Sequence, residues 1–387
     1  MVREILIVLF VFVTLIGFPQ TYQSDVAKLS QYTAVIELVD GESRIAIAPA
    51  FQGKVLTSTH DGQSSNGWLD RKTFDQASLN GGEIGGEDRV WIGPLGSQFS
   101  FYYQQIKPLD GDNWKVPATM NEQPYKLVKQ SESTIEMLKQ MHLVNWMGTE
   151  FDLQIARKIR MLDRNRAERM LGMIIPPQQQ FVAYESAHTL TNSGSEKWDR
   201  STGLATVWSA GLFAGSPQSV VIIPLTQQAD LERIFQYFGP LDSSRLVLKN
   251  NVLLFKTDGN YRSKIGVPPE LAPAVYGAYD PGVGRLTIVQ YKKDTSNLYF
   301  NSRVTVQDEP YRGEVVPVYN NGSMDYTPQS QSTFYELEST AAMKELAPGE
   351  TIDHFHRIYH FGGDITKLNK TSTQLLGITL EEATFKP

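Results

Sequence analysis

Short hydrophobic runs separated by turn-forming residues dominate the chain downstream of residue 23. The runs are rich in β-branched and aromatic residues, and clusters of Gly, Asn, Asp and Pro recur between them. This pattern predicts β-strands joined by tight turns. Examples of the runs are "YTAVIELV", "SRIAIAP", "TIEMLKQMHLV", "SVVIIPL", "VLLFKT", "RLTIVQY" and "RIYHF". No repeat of fixed period stands out, which argues against propellers and solenoids. We therefore expect an all-β protein built as one large antiparallel sandwich without an internal linker.

Two stretches carry more specific local signals. The segment "LVLKNNVLLF" predicts a β-hairpin whose turn is formed by Asn250 and Asn251. The stretch 227–239 has apolar residues at helical spacing and ends at Gly239, which can terminate a helix. It is the best helix candidate in a chain where helical periodicity is otherwise scarce.

The N-terminus combines Arg3 with an apolar run from Ile5 to Phe18, followed by Pro19 and polar residues. The run is shorter than the roughly 20 residues that cross a bilayer, and it fits the hydrophobic region of a secretory signal peptide. We therefore expect residues 1–23 to be a signal peptide and residues 24–387 to form a single domain. The mature protein is then exported, periplasmic or extracellular, and not stably inserted in a membrane. The alternative is an uncleaved N-terminal anchor, because the small-residue cleavage motif is poor.

The composition is that of an ordinary globular protein, with 41% hydrophobic and 20% charged residues among 387. The formal charge of -6 argues against a nucleic-acid partner, which would require clustered Lys and Arg. The one basic cluster, "RKIRMLDRNRAER", also contains acids and fits a strand, a turn and a solvated connection. The absence of cysteine excludes disulfides, thiolate metal ligands and cysteine nucleophiles. The sequence has no P-loop, dinucleotide-binding fingerprint or G-x-S-x-G motif, and we expect no cofactor.

The segment "FYELESTAAMKELAPGETIDHFHRIYHF" concentrates ionisable side chains. Alternate residues of a β-strand share a face, so Glu336 and Glu338 are presented together. The same alternation places His354, His356 and His360 on one face of the following strand, with aromatic residues on the opposite, core side. If the two strands lie near each other in one sheet, carboxylates and imidazoles converge on a polar concave surface suited to general acid and base chemistry. The alternative is that the histidines line a solvated strand face.

This segment resembles the C-terminal signature of the aldose 1-epimerase (galactose mutarotase) superfamily, which has a glutamate strand, a Pro-Gly-Glu turn and an aromatic-rich strand. In this chain the three parts are Leu337-Glu338-Ser339, Pro348-Gly349-Glu350 and Tyr359-His360-Phe361. Upstream, "GGEIGGEDRVWIGP" resembles the Gly-rich, Arg-containing segment of that superfamily, and "YESAHTLTNSG" resembles its central L-T-N strand. Together with "SKIGVPPELAP", these motifs are most similar to an uncharacterised family of exported bacterial proteins within the superfamily.

The resemblance implies a galactose mutarotase-like β-supersandwich of two large antiparallel sheets, with a sugar cleft on a concave face. It also implies mutarotation, in which a glutamate takes the proton of the anomeric hydroxyl and a histidine protonates the ring oxygen. Glu338 matches the base. The acid histidine of the superfamily follows the L-T-N strand, whereas Ser193 and Gly194 follow Asn192 here. His188, four residues before Asn192, is the candidate acid.

Charged and aromatic side chains supply further candidates for sugar binding. Asp88 and Arg89 lie in a Gly-rich loop, where an arginine can bind hydroxyl or carboxylate groups, or can form a structural ion pair. Lys264 is a candidate for an anionic sugar group, and Glu336 and His356 belong to the same predicted set. Indole rings can stack on a pyranose or pack in the core, and the candidates are Trp91, Trp114, Trp198 and especially Trp208.

Three functions remain open from the sequence. The first is a carbohydrate-active enzyme with epimerase-like acid and base chemistry on a mono- or oligosaccharide. The second is a non-catalytic carbohydrate-binding protein on the same scaffold. The third is a metal-dependent enzyme that uses His354 and His356 with a strand glutamate, because alternate strand positions give acceptable ligand spacing.

Overall fold

The computed structural model describes residues 21–74, 84–325 and 334–385. Most of the predicted signal peptide, residues 1–20, lies outside these described residues. The strands are β1 (Ile36–Asp40), β2 (Ser43–Ala48), β3 (Lys54–Thr59), β4 (Arg89–Gly93), β5 (Lys126–Gln130), β6 (Thr134–Val144), β7 (Glu150–Met161), β8 (Gln180–Asn192), β9 (Thr206–Ala214), β10 (Val220–Pro224), β11 (Phe235–Gln236), β12 (Leu246–Lys249), β13 (Val252–Lys256), β14 (Ser263–Val267), β15 (Val275–Asp280), β16 (Arg285–Tyr291), β17 (Val316–Asn320), β18 (Phe334–Thr340) and β19 (Thr351–Gly362). The helices are α1 (Tyr22–Leu29), α2 (Ala118–Asn121), α3 (Arg164–Leu171) and α4 (Ile365–Leu376).

The strands form two large antiparallel sheets and one small one, which confirms the predicted all-β supersandwich. The ten-stranded sheet has the order β12-β13-β10-β15-β16-β19-β8-β7-β6-β5, the six-stranded sheet β11-β14-β17-β18-β9-β4, and the three-stranded sheet β1-β2-β3. The main hydrophobic core lies between the two large sheets and contains Ile155, Leu190, Val207 and Leu337. Burial of this apolar area is the main term that stabilises the sandwich.

The sequence pattern explains most strand positions. β6 coincides with the predicted run "TIEMLKQMHLV", and its buried residues alternate with more exposed ones. The predicted hairpin is confirmed, because β12 pairs with β13 and both turn residues have positive φ, 48° at Asn250 and 64° at Asn251. Asparagine tolerates this left-handed conformation better than most residues, which is why it suits the turn.

The predicted helix over 227–239 is wrong. This stretch contains a single 3-10 turn, Leu231–Arg233, followed by β11. The carboxylate of its N-terminal residue Asp230 makes no capping hydrogen bond, and Phe235 pairs with Gly266 of β14. Tertiary pairing with the edge of the sheet therefore overrides a weak helical pattern.

Two helices that the sequence pattern did not reveal cover the outer side of the ten-stranded sheet. α3 lies within the basic cluster predicted to be a turn and a solvated connection, and it is capped by Asp163 and ended by Gly172. α4 is capped by Asp364 and ended by Gly377. Residues of both helices pack with Tyr359 and other strand residues in a second core, so the large sheet is buried on both faces around β16 and the end of β19.

The packed domain begins with α1. Thr21 caps this helix, and Tyr22 is buried with its hydroxyl donating to Glu37 Oε1 at 2.9 Å. Asp25 pairs with Arg71 at 2.6 Å. The sequence assigned Tyr22 and Gln23 to the signal peptide, whereas the described fold includes both. No helix in the described part of the chain is long and apolar enough to span a membrane.

Candidate functional site

The alternation of β18 divides its side chains between two environments. Tyr335, Leu337 and Ser339 point toward the ten-stranded sheet, where Ser339 contacts histidines of β19. Glu336 and Glu338 point to the opposite side. We call the side of the six-stranded sheet that faces away from the ten-stranded sheet its outer face, and the side that faces it the inner face.

Glu338 is a fully buried carboxyl group of the outer face. It is 0% exposed, and its Oε2 accepts a hydrogen bond of 2.6 Å from Trp208 Nε1. Lys264 Nζ lies 3.2 Å from the same oxygen. Burial raises the pKa of Glu338 to about 7, in opposition to Lys264, and the nearby Glu336 carboxylate adds to the rise. This carboxyl group therefore exchanges its proton near neutral pH.

Glu336 forms a second carboxylate pair on the same face. Arg89 NH2 donates to Glu336 Oε1 at 2.9 Å, and the guanidinium stacks over the ring of Trp91 at 4.0 Å from its centroid. Both partners keep about a tenth of their side-chain surface exposed. Arg89 therefore has its charge matched by a carboxylate and its flat face covered by an aromatic ring.

Strand register explains why these groups meet. Arg89 of β4 and Glu338 of β18 lie opposite the same β9 residue, Ala210, on its two sides. On the other side of β18, Tyr319 of β17 lies opposite both Glu336 and Lys264. Directly opposed residues of antiparallel strands share a face, so β4, β9, β14 and β18 project side chains into one cluster, and Tyr319 of β17 lies on the same face. We refer to Arg89, Trp208, Lys264, Glu336 and Glu338 as the outer-face cluster.

The edge of this cluster is partly open. Arg262, exposed just before β14, lies over the ring of Phe238 at 4.7 Å, and Phe238 packs edge-to-face against Tyr319 at 6.3 Å. Burial raises the pKa of Tyr319 to about 12, while the Arg262 guanidinium opposes the rise and the two glutamates of the cluster add to it. Tyr319 lies opposite Glu336 and Lys264 in the sheet, and Arg262 lowers its pKa through its charge and through a side-chain hydrogen bond.

A buried carboxyl group continues the cluster toward the edge of the sheet. Glu314 bonds to Tyr237 and Ser302, and burial raises its pKa against the opposing charge of Lys264. An open groove of about 850 Å³ begins beside it and is lined by residues that include Phe235, Arg303 and Gly313. Lys264 thus influences two buried carboxyl groups, Glu338 and Glu314.

The histidines lie elsewhere, on the inner side of the sandwich. His354 Nε2 and His356 Nδ1 each lie 2.8 Å from Ser339 Oγ. His188 lies directly opposite His354 on β8. Burial lowers the pKa of His354 to about 3 and that of His356 to about 4, and it also lowers the pKa of His188. All three imidazoles are therefore neutral at pH 7.

Asp88 belongs to this inner set as well. It forms a buried ion pair with Arg157 at 3.0 Å and bonds to Ser186. We refer to Asp88, Arg157, Ser186, His188, Ser339, His354 and His356 as the inner cluster. His360 lies apart from it and bonds to Glu87 at 2.9 Å and to Thr287 at 2.9 Å.

The expectation that the histidines and Glu338 converge on one surface is therefore wrong. The connection between β18 and β19 crosses from the six-stranded to the ten-stranded sheet, so the two strands face each other across the core. Glu338 projects away from that core, and His188 and His356 project into it. The geometry brings together Arg89, Trp208, Lys264, Glu336 and Glu338, and it separates Asp88, His188 and His356 from them.

The other aromatic candidates divide between site and core. Trp91 lies in the site, stacked with Arg89, whereas Trp198 packs against Phe151 in the main core. Trp114 is partly exposed and stacks on Tyr102 at 4.9 Å, and Tyr102 in turn contacts Trp91 and Trp208.

The metal hypothesis finds no geometric support in residues 21–74, 84–325 and 334–385. Within them, no group of three or more His, Cys, Asp or Glu side chains has an arrangement that could hold a metal ion. His354 and His356 both turn a nitrogen to a serine hydroxyl, and the neighbouring Asp88 is engaged by Arg157.

Sequence reasoning missed three members of the site region, Arg262, Tyr319 and Glu314. A signal was available for Arg262, because it precedes Lys264 by two residues and alternation places both on one face. No sequence signal identified Glu314 or Tyr319, since their proximity depends on which strands pair.

Comparisons with known proteins agree with the fold. A family model described as a family of unknown function (DUF6786) matches residues 20–386. No curated protein sequence matches the chain significantly. A candidate aldose 1-epimerase from Escherichia coli K12 has a similar structure, with 11% identity, a TM-score of 0.54, and coverage of 86% of this chain and 100% of its own. A galactose mutarotase-like protein from Lactobacillus casei ATCC 334 matches with 11% identity and a TM-score of 0.52, covering 84% and 100%. The Slr1438 protein from Synechocystis sp. PCC 6803 matches with 10% identity and a TM-score of 0.51, covering 86% and 96%.

Proposed function

The chain belongs to DUF6786, a family of unknown function, so the family gives no activity and the function must be inferred from the residues of this chain. We propose that it is an exported carbohydrate-active protein. It binds a sugar at the outer-face cluster, with Glu338 as the general base of an aldose-epimerase-like reaction. The galactose mutarotase-like fold supports a sugar-related role. The partner is a mono- or oligosaccharide.

One observation carries the proposal, namely the environment of Glu338. A general base works best when its pKa lies near the operating pH, and the pKa of Glu338 is raised to about 7. A second carboxylate, Glu336, and the indole ring of Trp208 lie in the same cluster, and the indole ring of Trp91 lies against Arg89 beside it. Carboxylates accept hydrogen bonds from sugar hydroxyls, and aromatic faces suit the apolar face of a pyranose.

The reaction needs a proton donor as well as a base. In mutarotation the base removes the proton of the anomeric hydroxyl while a donor protonates the ring oxygen, and the ring opens and recloses on its other face. The inner histidines are on the wrong side of the sheet for this role. Lys264, whose ammonium lies 3.2 Å from Glu338, is the donor in this proposal.

A second candidate function is favoured by the complete burial of Glu338. With 0% of this residue exposed, a sugar reaches the carboxylate only after Lys264 or Trp208 moves aside. Without such a movement, the ligand contacts the partly exposed Arg89 and Glu336 and is bound without turnover. The protein is then a non-catalytic carbohydrate-binding protein on the same scaffold.

The test is a screen of free sugars by saturation-transfer NMR, followed by anomer-exchange NMR on each sugar that binds. We expect Glu338→Gln to keep most of its sugar affinity and to lose exchange by roughly 10²–10⁴-fold, the usual contribution of a general base. Glu336→Gln should weaken binding more than exchange. Glu136→Gln is the matched control, because Glu136 lies in the ten-stranded sheet and pairs only with Lys158 among the described side chains.

The outcomes separate the two functions. A parent protein that binds a sugar but does not exchange its anomers is a binding protein. Exchange that persists in Glu338→Gln rejects this residue as the base. If no sugar binds at all, the carbohydrate proposal itself is rejected.

A further inference from the structure

The charges of the outer-face cluster are matched, whereas Arg262 beside it has no carboxylate partner among the described residues. Glu336 pairs with Arg89, and Glu338 pairs with Lys264. Arg262 is exposed, and none of the carboxylates in the described residues lies within ion-pair distance of its guanidinium. Asp110, which like Arg262 influences the pKa of Tyr103, accepts hydrogen bonds from the backbone and side chain of Asn113.

The orientation of Arg262 is fixed although it is exposed. Its guanidinium lies over the ring of Phe238 at 4.7 Å, and its backbone N–H donates to the carbonyl of Ser323 at 2.8 Å. Stacking on an aromatic ring occupies one face of a guanidinium and leaves its N–H donors free at the edge. Such a group is preorganised to bind a planar or tetrahedral anion with two parallel hydrogen bonds.

Its position relates it directly to the proposed sugar site. Arg262 precedes Lys264 by two residues on the same face, so their Cα atoms are roughly 7 Å apart along the strand. Tyr319 lies opposite Glu336 and Lys264 in the sheet and shares a side-chain hydrogen bond with Arg262. A single sugar ring that contacts Glu336 can therefore reach Arg262 with a substituent.

Lys264 is not available to bind an anionic group of the sugar. The sequence suggested Lys264 for an anionic sugar group, but its ammonium is engaged by Glu338 and is only 7% exposed. Moving it to an external anion would leave a buried carboxylate without its partner, which is costly. Arg262 makes no ion pair among the described residues, and its side-chain hydrogen bond to Tyr319 uses one of the five N–H donors of the guanidinium and leaves the others for a ligand.

We propose that the ligand is an anionic saccharide, a sugar bearing a carboxylate or a phosphate ester, whose acidic group is bound by Arg262. This inference rests on the proposed function, because it names the class of sugar that the same site takes. The outer-face cluster binds the hydroxyl groups of the sugar, and Arg262 makes the site specific for sugars with an acidic group.

The test compares sugars that differ only in the acidic group. Affinities are measured by titration calorimetry for glucose, glucuronate and glucose 6-phosphate, and for galactose, galacturonate and galactose 6-phosphate. A hydrogen-bonded ion pair contributes enough for the parent to prefer the acidic member of one series by on the order of 10- to 100-fold. The preference should weaken as salt is raised from 50 to 500 mM, because the arginine is exposed to screening ions.

Variants identify the residue responsible. Arg262→Gln should bring the acidic-to-neutral affinity ratio close to one, and Arg262→Lys should restore part of it. Arg303→Gln tests an exposed arginine of the groove that makes no ion pair among the described residues. Arg169→Gln in α3, on the far side of the ten-stranded sheet, is the matched control and should leave the ratio unchanged.

Each result decides the inference. If the uronates bind more tightly than the sugar 6-phosphates, the acidic group of the ligand is a carboxylate, and the reverse order indicates a phosphate ester. Equal affinity for acidic and neutral sugars, or a preference that survives Arg262→Gln, overturns the inference and leaves the proposed sugar site standing. Failure of every sugar to bind rejects the proposed function and this inference together.

Discussion

Lys264 stabilises two buried carboxyl groups at once. Its ammonium lies 3.2 Å from Glu338, and its charge lowers the pKa of Glu314 against the effect of burial. Removing one partner of a buried ion pair leaves an uncompensated charge, which typically costs about 3–5 kcal/mol. We therefore expect Lys264→Met to reduce the free energy of unfolding at pH 7 by about that amount, measured by urea denaturation.

A double variant and a control make this prediction specific. Lys264→Met/Glu338→Gln should recover much of the lost stability, because the remaining amide carries no charge to bury. Lys158→Met breaks the exposed pair with Glu136 and should change stability little. A double variant as unstable as the single one would show that Lys264 acts through packing, not charge.

The inner histidines predict a loss of stability in mild acid. The folded pKa of His356 is about 4, below the usual 6.5, so between these values the unfolded chain binds the proton more strongly. Stability is therefore fully present above about pH 6.5 and falls as the pH decreases toward 4. For His356 alone the loss at pH 5 is about 2 kcal/mol.

Glu338 has the opposite dependence, since its raised pKa makes the folded state bind the proton more strongly between about pH 4.5 and 7. The parent and the His356→Gln variant both contain Glu338, so its contribution cancels when their pH dependences are compared. We expect His356→Gln to lose less stability between pH 7 and pH 5 than the parent, as measured by chemical denaturation at both values. His142→Gln, at a half-exposed residue paired with Asp152, should keep the slope of the parent. Equal slopes for the parent and His356→Gln would contradict the prediction.

Alternation predicts which residues share a face but not which environment that face meets. From the sequence, Glu336 and Glu338 are companions, and so are His354 and His356. Whether the two pairs meet depends on whether β18 and β19 lie in one sheet. They are consecutive strands of different sheets. The turn residues Pro348 and Gly349 do not indicate that the chain passes from one sheet to the other.

The β12–β13 hairpin offers a test at the level of one element. Asn250 has a φ of 48°, a left-handed conformation that costs roughly 1–2 kcal/mol for most residues and more for β-branched ones. We expect Asn250→Gly to leave the stability unchanged or slightly higher, and Asn250→Val to lower it by about 1–2 kcal/mol. The readout is the free energy of unfolding, with the two substitutions serving as controls for each other. A Val variant as stable as the Gly variant would mean that the turn adopts another conformation.

Helices were harder to predict than strands because their apolar faces are short. α4 contains Leu368 and Leu376 as buried leucines among many polar residues, so its periodicity is weak, although Asp364 and Gly377 mark its ends. The stretch 227–239 has the stronger helical pattern but lies against the free edge of β14, where strand pairing satisfies its backbone. In both α4 and the stretch 227–239, contacts with other parts of the chain determine the secondary structure.

The assembly of the whole molecule explains what the sequence predicted well. Turn residues and strand-forming runs are local signals, and they were sufficient to predict an all-β sandwich. The strand order is not local, because β8 pairs with β19 and β4 with β9 across long stretches of chain. The outer-face cluster draws on four strands of this order, β14, β18, β9 and β4. Its acidic residues were predicted from one segment, but its cations could be assigned to it only once the sheet was known.

The start of the folded domain gives the last prediction. α1 is part of the core, since Tyr22 and Leu29 are almost fully buried and Asp25 pairs with Arg71. We propose that residues preceding Thr21 are an export signal removed on secretion, because the apolar run from Ile5 to Phe18 fits a signal peptide. N-terminal sequencing of the protein from the exported fraction should find its first residue between 19 and 25, and at or before Thr21 if the helix cap is kept.

Truncations test the same boundary without depending on export. A chain that starts at Pro19 retains the Thr21 cap and should unfold at the same denaturant concentration as the longer chain. A chain that starts at Ser30 loses the burial of Tyr22 and Leu29 and should be less stable by about 3–6 kcal/mol. Recovery of a membrane-bound protein with an intact Met1 would reject cleavage, whereas equal stability of the two truncated chains would show that α1 is dispensable. The two results are independent, because the first concerns processing and the second concerns the core into which α1 packs.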